Sequence, residues 1–454
     1  MKVMLVLTTF AYLRYFESMV SELAKAGHEI VIVTRIRHSM REIGLMDKFD
    51  PYISQGKVRI IEENLLLRIQ NRIAFRNLAG YANYFRPGHP SYGIRDRLLT
   101  SNTISSAIKF LFNTHPVLGL LKHKWVRDQF KFIESKIPPI NAVKDLLTQL
   151  EPDVVIAAGF ILLDCWDVEY IKAAKAMHIP TIVPILSWDN LLIKGTFTMT
   201  PDMVLVWNKG LAEEAMLVHD IPSENLQISG APVFDYFFDL KPELEKSSFQ
   251  LSVGLPADAQ YLLYLGSGVS IVADETANVI KIVEALKSNP KLSNIYLLVR
   301  PHPYNAEAWK GFHADHIHVW PGELVMPITN EARREFFHAL HFSEAVMGVN
   351  TSAMLESAIL DKPCVTILST HGQSQLKEIG HFHHLLEGDF LYTANNFDEA
   401  IEQVQIILEG RDSKSEQRRK FVGEFIRPFG IDVRVGSYLV HLVEKAIKSF
   451  VDRS

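Results

Sequence analysis

Two stretches of this 454-residue chain place reactive side chains where an apolar run stops. The first is Ile295-Tyr-Leu-Leu-Val-Arg-Pro-His-Pro303, closed by Arg300 and His302 with a proline on each side of the histidine. The second is Ala345-Val-Met-Gly-Val349, which empties into Asn350, Thr351 and Ser352 and the start of a helix carrying Glu356. In open parallel α/β sheets, ligands sit at the carboxyl ends of strands, against helix N-termini. One sheet edge then gathers an arginine, a histidine, backbone N–H groups, two hydroxyls and a carboxylate. That set suits a nucleotide-activated donor: cation and N–H groups for the diphosphate, a carboxylate for ribose hydroxyls. A third apolar run, Tyr261 to Leu265, leads into Gly266-Ser267-Gly268, where the glycines let the backbone approach a phosphate.

Each residue also has a plainer role. His302 either donates to a phosphate or protonates a leaving group, or it only caps a strand. Arg300 binds an anion or pairs with a carboxylate. Thr351 and Ser352 are helix caps by type, and capping and phosphate binding use the same N–H groups. Glu356 near a helix N-terminus is favourable even without a ligand. His381, His383 and His384 lack ligand spacing with carboxylates or cysteines, so no metal site is expected.

The run Arg300-Pro-His-Pro303, followed by Asn350-Thr-Ser-x-x-x-Glu356 and Asp361-Lys-Pro363, resembles the C-terminal domain of GT-B type glycosyltransferases. The resemblance lies near the branch holding CDP-glycerol glycerophosphotransferases, capsule Kdo-transferases and UDP-N-acetylglucosamine 2-epimerases. It implies an α/β protein of two Rossmann-like domains facing across a cleft, with a nucleotide-sugar as co-substrate and no cofactor. Gly266, Ser267, Gly268, Arg300, His302, Asn350, Thr351, Ser352 and Glu356 are then donor-binding. An inverting transfer needs a base from the first domain. Asp189, in Ser187-Trp-Asp-Asn190 beside the desolvating ring of Trp188, and Asp164 are the candidates, with His302 as the catalytic counterpart on the donor side. Arg14, Asp164, Trp188, Asn190 and Lys194 complete the acceptor side.

The activity expected is transfer of a sugar to a cell-envelope glycan or lipid-linked acceptor. The rivals are glycerol- or ribitol-phosphate transfer from a CDP-alcohol, epimerisation of a UDP-sugar, and a non-catalytic scaffold that binds a nucleotide or glycan.

The rest of the chain must position these groups. Its length implies two domains, and a hydrophobic fraction of 48% with 22% charged residues is that of a globular protein. A net charge of -5 excludes a globally basic nucleic-acid binder. Cys165 and Cys364 lie in apolar segments, which suits buried thiols in a reducing compartment. No run reaches a transmembrane length, and Val3 to Leu7 leads through Arg14 and Glu17 into an amphipathic helix, so a cytoplasmic protein is expected. The β-α-β opening, Lys2 to Thr8, Phe16 to Lys25 and Glu29 to Thr34, has strands that are continuous apolar runs, as in a parallel sheet. It lacks Gly-x-Gly-x-x-Gly, so no dinucleotide site is expected there.

An acceptor domain is read over 1–239, a linker over 240–257, a donor domain over 258–426 and a helix crossing back to the first domain over 427–454. Residues 57–136 break the alternation as a basic helical insertion, with 14 Lys/Arg against 5 Asp/Glu. Arg68, Arg72 and Arg76 at helical spacing beside Leu65, Leu66, Leu67 and Ile69 suggest peripheral attachment to the inner face of a membrane, or contact with an anionic acceptor.

Overall fold

A computed structural model describes residues 1–34, 43–63, 66–91, 95, 99, 102–268, 271–272, 274–322, 325–368 and 380–452. The chain forms two compact units. The first comprises Met1–Asp235, the short Gly380-His381 segment and the chain from Phe425 on, and the second most of the rest from Tyr236 to Glu424.

The first unit is built on a seven-stranded sheet: β1 (Lys2–Leu7), β2 (Glu29–Thr34), β3 (Val58–Glu62), β4 (Val154–Ala157), β5 (Thr181–Pro184), β6 (Met203–Val206) and β7 (Leu226–Ile228). Their order is β3-β2-β1-β4-β5-β6-β7, and every pairing is parallel. Val3 to Leu7 and Ile30 to Val33 are fully buried, as central strands covered on both faces must be. The chain leaves β1 toward β2 and β3, then returns to β4 on the other side of β1. The sheet's switch point is therefore the β1/β4 edge, where Thr8 and Gly159 emerge. The buried carboxylate of Asp167 spans this point, accepting from Thr8 Oγ1 at 2.7 Å and from Gly159 N at 2.5 Å.

The second unit repeats the plan with six strands: β8 (Tyr261–Leu265), β9 (Tyr296–Arg300), β10 (Ile317–Val319), β11 (Ala345–Gly348), β12 (Cys364–Ile367) and β13 (Leu391–Ala394). The order is β10-β9-β8-β11-β12-β13, again all parallel. Its switch point lies between β8 and β11. The α/β class and the two Rossmann-like units expected from the resemblance are the architecture observed. Residues 240–257, read as a linker, contain the helix Lys246–Ser252 and belong to this second unit.

Two expectations for the insertion need correction. Its first residues form β3, an edge strand of the sheet, so the helical part begins with the helix Leu66–Asn83. Arg72 and Arg76 do not form an outward basic stripe. Arg72 Nη1 pairs with Glu169 Oε2 at 2.7 Å, and Arg76 Nη2 pairs with Glu134 Oε1 at 2.8 Å and also with Glu169. Lys172 Nζ closes the group on Glu134 at 2.6 Å. Glu134 and Glu169 are fully buried, and their charge requires these partners. Neither arginine is therefore available to a membrane. Leu65 and the side chains of Leu66, Leu67 and Arg68 lie outside the described residues.

The C-terminal helix Val435–Val451 is caught at its N-terminus by the buried Asp235. That carboxylate accepts from Val435 N at 3.0 Å, Gly436 N at 2.7 Å and Arg427 Nη2 at 2.9 Å. An anion at a helix N-terminus meets both the free N–H groups and the helix dipole. Asp235→Ala is expected to cost about 2 kcal/mol of stability in urea unfolding, with Asp235→Asn falling between it and wild type. Equal stability of all three proteins would contradict this account of the helix anchor.

Candidate functional site

At the second switch point the strands bring the expected donor groups to one edge. Register pairs Leu265 with Arg300 on one side and with Gly348 on the other, so Gly266, Pro301 and Val349 leave the sheet side by side. Gly266 N donates to Arg300 O at 2.9 Å. A Cβ on Gly266 would lie 2.8 Å from His302 N, a contact that only glycine avoids here. Gly268 lies against the His302 ring, its Cβ position 3.7 Å from Cε1. The loop is pinned from two directions. Asn305 Nδ2 donates to Ser267 O at 3.3 Å and to Val272 O at 3.0 Å. Glu275, at the N-cap of the helix Thr276–Ser288, accepts from Ser267 N and from Tyr264 OH, both at 2.8 Å.

Arg300 is buried, with its guanidinium 4.7 Å from the centre of the Phe336 ring. Burial, opposed by the charges of Glu335, Tyr236 and Glu356, pulls its pKa down to about 10, so it stays a cation at neutral pH. Its Nη1 and the Nδ2 of buried Asn350 have no hydrogen-bond partner among the described residues. Buried donors are ordinarily satisfied. Two unsatisfied donors at one switch point suit a ligand rich in acceptors.

His302 Nδ1 accepts from Tyr304 N at 3.1 Å, capping the turn Pro303–Trp309. The neutral ring therefore carries its proton on Nε2, the nitrogen able to donate elsewhere. The helix after β11 begins at Ala353 rather than at Asn350, and Glu356 lies in its first turn. Thr351 Oγ1 accepts from Ala353 N at 3.4 Å. Ser352 occupies the N-cap position without a side-chain cap bond, so capping falls to Thr351. Asp361 has a structural position. It turns the chain at φ 53 and its Oδ1 accepts from Arg418 Nε at 2.6 Å.

Glu275 carries a pH signature. Burial, partly offset by the bonds from Ser267 and Tyr264, raises its pKa from 4.5 to about 7. Burial likewise raises Asp167 from 3.8 to about 6, against bonds from Thr8 and Gly159. The folded state then binds these protons more tightly than the unfolded chain, so stability falls as pH rises from the unfolded values to the folded ones. The Glu275 share is on the order of 2–3 kcal/mol between about pH 4.5 and 7. Glu275→Gln, followed by urea unfolding across that range, is expected to flatten the decline. A variant as pH-dependent as wild type would exclude this assignment.

In the first unit the acceptor-side candidates are held by separate local partners. Arg14 lies in the 3₁₀ turn Phe10–Tyr15 and bonds Tyr15 OH at 2.8 Å. Asp164, with φ 55, accepts from Asn77 Nδ2 at 2.9 Å on the helix Leu66–Asn83. Asp189 is half-buried and accepts from Asn190 Nδ2 at 3.0 Å, at the start of the short helix Asn190–Ile193. Trp188 is buried, with the ring of His381 edge-on at 4.8 Å. The Lys194 carbonyl accepts from Tyr84 OH at 3.1 Å. The loop around Asp189 has a support that sequence reasoning missed. Buried His219 donates from Nε2 to Leu191 O at 2.7 Å, and burial lowers its pKa to about 3, so it stays neutral. His383 and His384 open the helix His383–Glu387, with ring centres 4.0 Å apart.

Neither the family models nor the curated proteins compared with the chain give a match. Solved structures do. UDP-GlcNAc 2-epimerase from Neisseria meningitidis bound to UDP-GlcNAc superposes with a TM-score of 0.55 at 13% identity, over 98% of this chain and 100% of that one. The same enzyme from Methanocaldococcus jannaschii gives 0.54 at 14%, over 98% and 100%. A glycosyltransferase from Rickettsia africae gives 0.54 at 9%, over 100% and 99%. At these identities the likeness shows the fold alone, and the reading of the site's chemistry rests on this chain's own residues.

Proposed function

We propose that this chain is a glycosyltransferase that moves a sugar from a nucleotide-sugar to a glycan or lipid-linked acceptor of the cell envelope. The observation that carries the donor assignment is the pair of buried, unsatisfied donors, Arg300 Nη1 and Asn350 Nδ2, at the switch point of the second sheet. In this reading Arg300 and the N–H groups of the Gly266–Gly268 loop meet the diphosphate charge. The Nε2 proton of His302 stabilises the leaving phosphoryl oxygen as the sugar–phosphate bond breaks. Glu356 takes ribose hydroxyls. Asp189 receives the proton of the acceptor hydroxyl as that oxygen bonds to the sugar.

Support for transfer over chemistry on one small molecule comes from the insertion. Residues 106–136 carry exposed Phe110, Leu111, Trp125 and Phe132, a surface that a reaction confined to a soluble sugar nucleotide does not need. The second reading, epimerisation of a UDP-sugar, is favoured by the epimerases among the structures of like fold. Incubation of the full chain with a UDP-sugar, with and without extracted envelope glycolipid, separates the two by NMR. Transfer yields free nucleoside diphosphate and a glycosylated acceptor. A C2-inverted sugar nucleotide formed without acceptor would replace transfer by epimerisation.

A further inference from the structure

The helices Ser106–Phe112, His115–Leu121 and Lys124–Lys136 have an inner and an outer face with different fates. Inward, Phe130 packs on Phe75 at 5.5 Å, Phe112 meets Tyr81 edge-on at 6.3 Å, and Glu134 enters the buried ion network. Outward, the same short segment holds seven of the seventeen exposed large apolar side chains among the described residues. Phe110 is 77% exposed, Trp125 62% and Phe132 55%, with Leu111, Leu120 and Ile133 also exposed. On the third helix Trp125, Gln129, Phe132 and Lys136 recur at spacings of four, three and four, which is one helical face.

The charge around this apolar surface is predominantly positive. Residues 102–138 contain six Lys/Arg and two Asp/Glu in a chain of net charge -5. One of those two acids, Glu134, is buried against Arg76 and Lys172. Arg127 and Lys131 turn inward, to the carbonyls of Leu121 and Lys122 and to Asp220. Lys122, Lys124 and Lys136 are exposed. Lys136 Nζ lies 5.3 Å from the centre of the Phe132 ring, so an ammonium sits directly beside an exposed aromatic. Lys124 pairs with Asp128 at 2.9 Å, a surface pair worth little in water.

We infer that these three helices seat the protein peripherally on an anionic lipid surface, with the aromatic rings in the headgroup–acyl boundary and the lysines at the phosphates. Charge complementarity selects this occupant. Interfacial helices combine bulky apolar side chains with lysines in this manner, and each lysine at an anionic surface adds to the attachment. A second copy would bring two segments of the same positive sign together. Among the described residues no helix is long and apolar enough to cross a membrane, so attachment is to one leaflet. The membrane contact lies on these helices and not on the Leu66–Asn83 helix before them, whose Arg72 and Arg76 are engaged internally.

The test is co-sedimentation of the full chain with phosphatidylcholine vesicles, with and without phosphatidylglycerol, in the absence of any sugar nucleotide. Wild type is expected to sediment with the anionic vesicles at low salt and to be released as salt rises. Trp125→Ser/Phe132→Ser is expected to weaken binding at least ten-fold. Lys122→Glu/Lys124→Glu/Lys136→Glu is expected to weaken it at least as much, and only for anionic vesicles. These side chains are exposed, and circular dichroism checks that each variant is folded. Wild type remaining in the supernatant, or folded variants that bind as wild type does, would overturn the inference. So would a dimer seen by light scattering that the Trp125/Phe132 variant dissociates. No donor is present, so failure here leaves the transferase reading intact, and failure of that reading leaves this one intact.

Discussion

Arg300→Met is expected to weaken nucleotide-sugar binding about 100-fold while leaving the ligand-free protein as stable as wild type, or more so. The two halves of this expectation share one cause. Arg300 is buried without a paired carboxylate in a salt bridge among the described residues, and its Nη1 has no hydrogen-bond partner there. A buried cation with an unsatisfied donor is costly. Contact with the Phe336 ring at 4.7 Å returns only part of that cost. An apolar side chain of similar length removes the penalty and keeps the packing. Towards a diphosphate the balance reverses, because a charge-assisted bond in a buried site contributes about 1.5–3 kcal/mol. Arg300→Lys should recover little, since an ammonium does not reproduce the planar fork. Isothermal titration with the donor, alongside urea unfolding of the ligand-free proteins, reads both halves. A variant that unfolds readily without ligand would make Arg300 structural.

The second large effect is expected at Glu134. Glu134→Ala leaves Arg76, whose side chain is only 6% exposed, and Lys172, also 6%, without the carboxylate they share. Breaking one partner of a buried ion group costs about 3–5 kcal/mol, because the remaining charges stay buried. Urea unfolding should show the first unit's transition moved by about 4 kcal/mol. By contrast Lys124→Ala, which removes an exposed pair with Asp128, should change stability by less than about 1 kcal/mol. Equal effects of the two substitutions would mean that the Arg76 group is not the internal brace described above.

These two sites differ in how far the sequence exposes them. Val3 to Leu7, Tyr261 to Leu265 and Ala345 to Gly348 are continuous apolar runs because central parallel strands are covered on both faces, so the core of each sheet is readable directly. Once those strands are parallel, Gly266, Arg300 and Asn350 must share an edge. β3 escaped because Val58-Arg-Ile-Ile-Glu62 is an edge strand with polar positions, and it sits inside a basic stretch. β10 has three residues, too few for a pattern. The Arg72 and Arg76 spacing carries the same periodic signal whether the helix faces solvent or a buried carboxylate. What decides is Glu134 and Glu169, 58 and 93 residues further on from Arg76. Glu275, Asn305 and His219 left no local signal for a similar reason. Each acts on a loop distant in sequence, and nothing in its own neighbourhood names that loop.

The central claim is that the β8/β11 switch point binds a nucleotide-sugar. A thermal-shift panel of UDP-, GDP-, CMP- and CDP-linked donors on the full chain tests it most directly. A ligand at about 100 times its Kd adds about 2.7 kcal/mol to the state that binds it, a rise in Tm of about 5 °C or more for a unit of this size. The account predicts such a rise with at least one sugar-linked nucleotide, and its loss in Arg300→Met. A response to CDP-glycerol alone would move the reaction to phosphotransfer. No stabilisation by any donor, or an undiminished rise in Arg300→Met, would contradict the claim.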